Sequence, residues 1–326
     1  MVAIGFHASH EQIGPAQLLR DVQSAELVGF TAAMCSDHFN PWSHAQGHSG
    51  FAWSWLGAAL ATTKLAFGTV SAPGQRYHPA VLAQAAATLG SMFPGRLWMA
   101  PGSGEYLNES ITGEPWPAKE DRQLRLEECV AVIRSLFAGE QVTHDGLVQV
   151  AGARIWDVPS PVPQLIAPAI EPATAARSAS WADGIITLNQ PHERLRALLD
   201  AYRGNGGRGR AMLQVHLSWA PTETEAQAIA MDQWRNNVVQ PPVTADLPTV
   251  GHFEALGQNT TPDQVRQCVR VSSDLGRHAA WLHEYAELGF DDIYLHHVGQ
   301  HQLRFLESFG TSVLPQFAGE KHADRQ

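Results

Sequence analysis

Thr31-Ala32-Ala33-Met34-Cys35-Ser36-Asp37-His38 is a short apolar, β-prone run that breaks off directly into a carboxylate and an imidazole. Such runs, when helical patterns separate them, read as parallel strands covered by helices. Working outward, runs of the same kind stand at 3–7, 65–71, 97–101, 164–167, 184–188, 212–219 and 292–297, which with 31–36 makes eight. Amphipathic or apolar helical patterns follow most of them, at 15–28, 51–62, 79–92, 121–137, 172–181, 192–203, 223–238 and 303–315. Pro15, Pro79 and Pro172 suit helix first turns, where a missing N–H costs nothing. Eight strand–helix units point to an α/β fold, a closed (β/α)8 TIM barrel whose active site sits at the C-terminal ends of the strands. A doubly wound sheet is the rival.

Two segments exceed a minimal barrel. Residues 140–157 alternate around Asp145-Gly146 and read as an inserted β-hairpin. Residues 240–258 are rich in Pro and Gly and read as a lid-like surface excursion. The 326 residues are thus expected to form one barrel domain with these two additions, since insertions readily lengthen a barrel beyond about 250 residues.

Composition narrows the function classes. With 44% hydrophobic residues the chain has ample core, which excludes disorder as its main state. Lys+Arg 22 against Asp+Glu 32 leaves a net charge of −10, which repels phosphate backbones and anionic membranes, so nucleic acid and membrane are not expected partners. Neither a signal peptide nor a membrane span is legible. Three scattered cysteines, Cys35, Cys129 and Cys268, form no disulfide framework or Cys-x-x-Cys pair, and a reduced, cytoplasmic protein is expected.

Ser36-Asp37-His38 ends the second strand at the barrel mouth, with Trp42 close behind. A carboxylate beside an imidazole suits proton transfer near neutral pH. A helix-capping Asp and a satisfied loop His are the plainer alternative. The fourth strand ends in Pro101-Gly102-Ser103-Gly104-Glu105, with Asn108 following; small residues there let a flat ligand approach the backbone, and Glu105 is placed to act as an acid. A dinucleotide fingerprint fails because Leu107 stands where its third glycine belongs, and Gly47-His48-Ser49-Gly50 misses the serine-hydrolase elbow. Sixteen histidines show no ligand spacing, and His296 and His297 alternate faces, so no metal is expected. His7, His216 and Trp219 lie near strand ends and are pocket candidates or packing residues. Trp53, Trp55 and Trp98 pack a core or floor a pocket.

Several of these stretches together carry a resemblance: Gly5-Phe6-His7-Ala8-Ser9-His10-Glu11-Gln12, Ser36-Asp37-His38-Phe39-Asn40-Pro41-Trp42, Gln75-Arg76-Tyr77-His78-Pro79-Ala80, Phe93-Pro94-Gly95-Arg96, Gly102-Ser103-Gly104-Glu105-Tyr106-Leu107-Asn108-Glu109 and Trp181-Ala182-Asp183-Gly184. Nearly the whole chain resembles the luciferase-like flavin and deazaflavin oxidoreductases, above all the subgroup around the F420-dependent glucose-6-phosphate dehydrogenases. The resemblance implies a (β/α)8 barrel, commonly dimeric. It implies that His38 removes a substrate hydroxyl proton during hydride transfer, that Glu105 is the acid on the cofactor side, that Trp42 holds the intermediate, and that Asp37 orients His38 and touches the ring. It also implies cofactor contacts at Val70, Ser71, Gly102, Ser103, Gly104, Asn108, Ala167, Ala169 and Ile170, and a non-prolyl cis peptide near Val70-Ser71. The substrate pocket is expected from His7, Trp42, Trp53, Trp55, Asn189, Trp219 and His296.

Two departures stand out. The stretches matching the family's sugar-phosphate pocket, Leu188-Asn189-Gln190-Pro191, residues 238–256 and Cys268, contain no Lys or Arg, so a dianionic phosphate lacks a partner there and glucose 6-phosphate is a poor substrate. The phosphate loop reads Ala167-Pro168-Ala169-Ile170-Glu171-Pro172, whose Glu competes with phosphate for helix N–H groups. Together with the −10 charge, this favours FMN over coenzyme F420 as the cofactor. The expected activity is hydride transfer between such a cofactor and an uncharged small molecule. An FMN-dependent monooxygenase using oxygen and a non-catalytic flavin-binding protein are the alternatives.

Overall fold

The computed structural model describes residues 2–239 and 243–318. Eight parallel strands form a closed ring: β1 (Ala3–Ala8), β2 (Ala32–Ser36), β3 (Ala66–Ser71), β4 (Leu97–Pro101), β7 (Gln164–Pro168), β8 (Gly184–Leu188), β9 (Arg210–Ser218) and β11 (Asp292–His297). Each pairs with its neighbour in sequence order, and β1–β11 together with β8–β9 closes the barrel. All eight expected strands are in the ring, within two residues of the expected ends, and a doubly wound sheet is excluded by the closure. A short β10 (Arg270–Val271) adds to the outside of β9.

The strands are apolar on both faces because both are covered, and strict alternation sorts their side chains. Even-numbered residues of β2, β4, β7, β8, β9 and β11 point inward, where Ala32, Met34, Trp98, Ala100, Ile166, Ile186, Met212 and Tyr294 fill the lumen. Their odd-numbered neighbours, such as Ala33, Leu165, Leu213 and Ile293, join the core under the helices. Gly68 faces Trp98, and a methyl group there would overlap the indole, so this glycine makes room for the largest lumen side chain. Trp98 and Tyr294 meet edge to face at 5.8 Å and floor whatever lies above them.

Pro15, Pro79 and Pro172 each open a helix, at Pro15–Val28, Pro79–Met92 and Pro172–Ser178. The hairpin expected at 140–157 is β5 (Val142–Asp145) against β6 (Gln149–Ala153), antiparallel. It is fastened to the barrel by Glu128, which accepts from Val148 N at 3.2 Å and meets His144 Nε2 at 2.9 Å. Of the excursion at 240–258, residues 240–242 lie outside the described residues. The rest is more structured than its Pro/Gly content suggests, with a 3-10 turn Thr244–Asp246 and a helix Val250–Gly257. Trp116 Nε1 donates to Asp246 Oδ1 at 2.8 Å, and Arg122 Nη1 pairs with the same oxygen at 3.1 Å, tying the excursion to the loop and helix after β4.

Candidate active site

The C-terminal ends of the strands surround a cavity of about 360 Å³. Its centre is built by the loops after β1, β2 and β4. Glu11, from the β1 loop, is buried, and its Oε2 accepts from Ser9 Oγ at 2.7 Å and Ser36 Oγ at 2.6 Å. Its other oxygen stands 3.1 Å from His38 Nδ1, an ion-pair contact off the line of a regular hydrogen bond. Burial alone would raise the Glu11 pKa, but His38 and the two hydroxyls outweigh it and hold the carboxyl below its usual value. His38 Nε2 points the other way, 4.0 Å from Glu105 Oε2, and the His38 ring sits edge to face with Trp42 at 4.5 Å. Glu105 is shifted upward, mainly by desolvation in the cavity wall, against the pull of His38.

Asp37 behaves differently from its neighbour, because consecutive residues leaving a strand point to opposite sides. It does not orient His38; that contact belongs to Glu11. Asp37 Oδ2 accepts from Ser71 Oγ at 2.6 Å, its Oδ1 accepts from Tyr77 at 3.0 Å, and Arg76 lies 3.5 Å from Oδ1. Arg76 Nη2 also donates to the Asp37 carbonyl at 2.8 Å, and its Nε stands 3.5 Å from the buried Glu109. Asp37 thus anchors a buried network that braces the β2 and β3 ends against each other.

The other expected residues divide. His7, Val70, Ser71, Gly102, Ser103, Gly104, Asn108, Ala169, Ile170, Asn189 and His296 line the cavity with Asp37, His38, Trp42 and Glu105. Asn108 has most of its amide in use: Oδ1 accepts from Phe39 N and Asn40 N, pinning the β2 loop to the β4 loop. Ala167 is not on the wall, since Ile166 and Pro168 take the inward positions of β7. Trp219 is also outward by the alternation of β9; its indole donates to Ser273 O at 3.1 Å. Trp53 and Trp55 sit on the helix Ala52–Thr62 behind the barrel, donating to Ser71 Oγ at 3.2 Å and Pro15 O at 3.1 Å. The expected cis peptide at Val70-Ser71 is not found; the cis bond among the described residues is Ser160-Pro161. The β3–β4 ladder runs straight through this bond, pairing Val70 with Ala100 and Ser71 with Pro101.

Glu11, Arg76, Trp234 and Gln214 were not singled out from sequence. Glu11 and Arg76 stand inside the quoted family stretches, and Gln214 is an inward position of β9. Trp234 ends the helix Glu223–Trp234, and only tertiary packing brings it 5.0 Å from His296 and 4.5 Å from His216. Burial drives the pKa of His7 down to about 4 and of His216 to about 3, and pushes His296 well below its usual value, so all three are neutral at pH 7.

The luciferase-like monooxygenase family matches residues 1–292. The chain belongs to that family. This luciferase-like oxidoreductase is 36% identical, over 96% of both chains, to an F420-dependent glucose-6-phosphate dehydrogenase of Nakamurella multipartita. It is 34% identical to the Intrasporangium calvum protein of the same name, covering 98% of this chain and 100% of that one. The structure of an F420-dependent secondary alcohol dehydrogenase in complex with an F420-acetone adduct superposes with a TM-score of 0.88 at 27% identity, covering 96% of this chain and 98% of that one. These relatives are F420-dependent and lend no support to the preference for FMN. The local reason behind that preference weakens as well: Glu171 does not stand free before the helix Pro172–Ser178, because Lys119 Nζ pairs with it at 2.7 Å. Lys119 and Arg122 bring cations to the cavity from the helix Lys119–Phe137, outside the phosphate loop.

Proposed function

We propose that this luciferase-like enzyme is an F420-dependent dehydrogenase or reductase acting on a small uncharged alcohol or carbonyl compound. The observation that carries the reading is His38, held on one side by Glu11 and facing Glu105 on the other. The cavity is suited to the cofactor. Small and apolar residues, Val70, Ala72, Gly102, Ala169 and Ile170, offer flat wall for a tricyclic ring. Lys119 and Arg122 offer positive charge to an anionic tail, and buried Arg122 Nε has no partner among the described residues.

F420 when bound supplies a two-electron hydride acceptor or donor. His38 does the proton work on the substrate. With Nδ1–H turned to the Glu11 carboxylate, Nε2 presents its lone pair to the cavity and takes the hydroxyl proton of an alcohol as its carbon gives up hydride. The negative Glu11 then stabilises the imidazolium. Trp42 limits the tilt of the His38 ring. Glu105, kept protonated to higher pH than an ordinary carboxyl, donates or accepts the proton that balances charge on the cofactor's side. In the carbonyl-reducing direction the same groups run in reverse.

A neutral substrate is favoured over a phosphorylated one by the far side of the cavity. Asn189, His216, Trp234, Phe253 and Cys268 line it, and no Lys or Arg is among them. Titration of the purified protein with F420 and with FMN, each followed by fluorescence, tests the cofactor; tight FMN binding without an F420 response overturns the assignment. Anaerobic F420-coupled oxidation of secondary alcohols, run beside glucose 6-phosphate, tests the rest. Faster turnover of the sugar phosphate sinks the neutral-substrate reading, and a strict need for oxygen sinks hydride transfer.

A further inference from the structure

Three imidazoles converge at the inner end of the cavity. His7 stacks on His296 at 4.4 Å between ring centroids, and His216 meets His296 edge to face at 5.2 Å. The protonation of His296 follows from its neighbours. Gln12 Nε2 donates to Gln233 Oε1 at 3.1 Å and to the Val298 carbonyl, so Gln12 Oε1 is the acceptor that faces His296 Nε2 at 2.6 Å. His296 therefore carries its proton on Nε2 and leaves Nδ1 as a bare lone pair, buried and without a hydrogen bond. Gln214 Nε2 occupies His216 Nε2 at 3.1 Å. His7 has no such partner on a neighbouring residue: it lines the cavity, is 5% exposed, its Nδ1 is buried without a hydrogen bond, and no other described residue hydrogen-bonds its ring.

A buried polar ring without a partner costs free energy unless something bound supplies the missing bond. The chemistry of the missing partner is constrained. Neutral imidazole offers one donor and one acceptor, and a hydroxyl group answers both. A phosphate dianion or carboxylate has only acceptors, so it can use the imidazole N–H alone, and it faces the negative Glu11.

We propose that His7, on its platform of His296 and His216, is a specificity-determining residue that hydrogen-bonds a second hydroxyl of the substrate. The enzyme then takes vicinal diols and related neutral polyols in preference to monofunctional alcohols. This rests on the F420-dependent dehydrogenase reading. His38 handles the reacting hydroxyl, and His7 holds its neighbour.

The test compares 1,2-propanediol with 2-propanol. In F420-coupled assays, kcat/KM for the diol is expected to exceed that for 2-propanol about three- to tenfold, the worth of one ordinary hydrogen bond. His7→Leu and His7→Phe should bring the two substrates to parity, while His7→Gln keeps part of the preference. The phenylalanine variant retains a ring stacked on His296 and guards against a leucine variant that fails to fold. Equal kcat/KM in the parent, or a preference unchanged in both apolar variants, overturns the proposal. A second readout is independent of turnover: tryptophan fluorescence, with Trp42 and Trp234 in the cavity wall, titrated with both alcohols on the full chain. If F420 supports no oxidation yet diol binding weakens in His7→Phe, the dehydrogenase reading falls and the diol subsite stands. If the two alcohols bind alike in the parent, the subsite falls.

Discussion

The two ends of the cavity solve the problem of polar groups in opposite ways. At the outer end, Lys119 with Glu171 and the buried Arg122 with the exposed Asp246 keep full charges in pairs that water still reaches. At the inner end, His7, His216 and His296 lie buried and stay uncharged, because the cost of desolvating a cation outweighs the pull of nearby Glu11. His38 and Glu105 sit between these regions. On the proposed reading, the division gives a charged cofactor tail and a neutral substrate separate compatible surroundings, and proton transfer belongs at the boundary.

The largest expected effect is at that boundary. His38→Ala should lower kcat by about 10²- to 10⁴-fold, the usual worth of a positioned acid or base, with F420 affinity by fluorescence little changed. A variant that turns over like the parent removes His38 from the chemistry and leaves the two ends without a reactive centre. Glu105→Gln should cost about a hundredfold. It should also remove the alkaline limb of the pH profile, since an acid of raised pKa works below that pKa and is lost as pH rises through it. An alkaline limb that survives in Glu105→Gln assigns it to another group.

The neutral inner end predicts a pH dependence of stability with a definite sign. His7 has a folded-state pKa of about 4 against 6.5 unfolded, so between these values the unfolded chain binds a proton the folded one refuses. Stability is then full above pH 6.5 and declines as pH falls toward 4. From pH 6.5 to 5 the loss is about 1.5 kcal/mol for such a histidine. His7→Gln should flatten one histidine's share in urea melts at the two pH values, and an unchanged slope argues that His7 is already charged. The smallest effect belongs to the outer end. Lys119→Met removes a largely exposed pair worth about 1 kcal/mol or less, so stability should barely move, while F420 affinity weakens a few-fold at low salt and less at high salt.

Much of the barrel was legible because its signals are local. The run at 31–36 and its seven counterparts needed only apolar β-prone composition, and Pro15, Pro79 and Pro172 marked helix starts from their covalent geometry. The same alternation rule that separated His296 from His297 would have turned Trp219 and Ala167 outward, had it been carried through every strand. Trp53 and Trp55 misled for another reason: an aromatic near a mouth motif in sequence sits on a helix that folds behind the barrel, where its indole serves the core.

By itself the sequence determined the fold class, the mouth on which function sits, and the presence there of Asp37, His38, Trp42 and Glu105. Only the tertiary structure decided who partners whom. Glu11 and not Asp37 meets His38, Lys119 meets Glu171 across 52 positions, and Trp234 closes over histidines from two different strands. The physical reason is that strand and helix signals are written within a few residues, whereas burial, ion pairing and the pKa of a side chain depend on which distant segments the barrel brings against it.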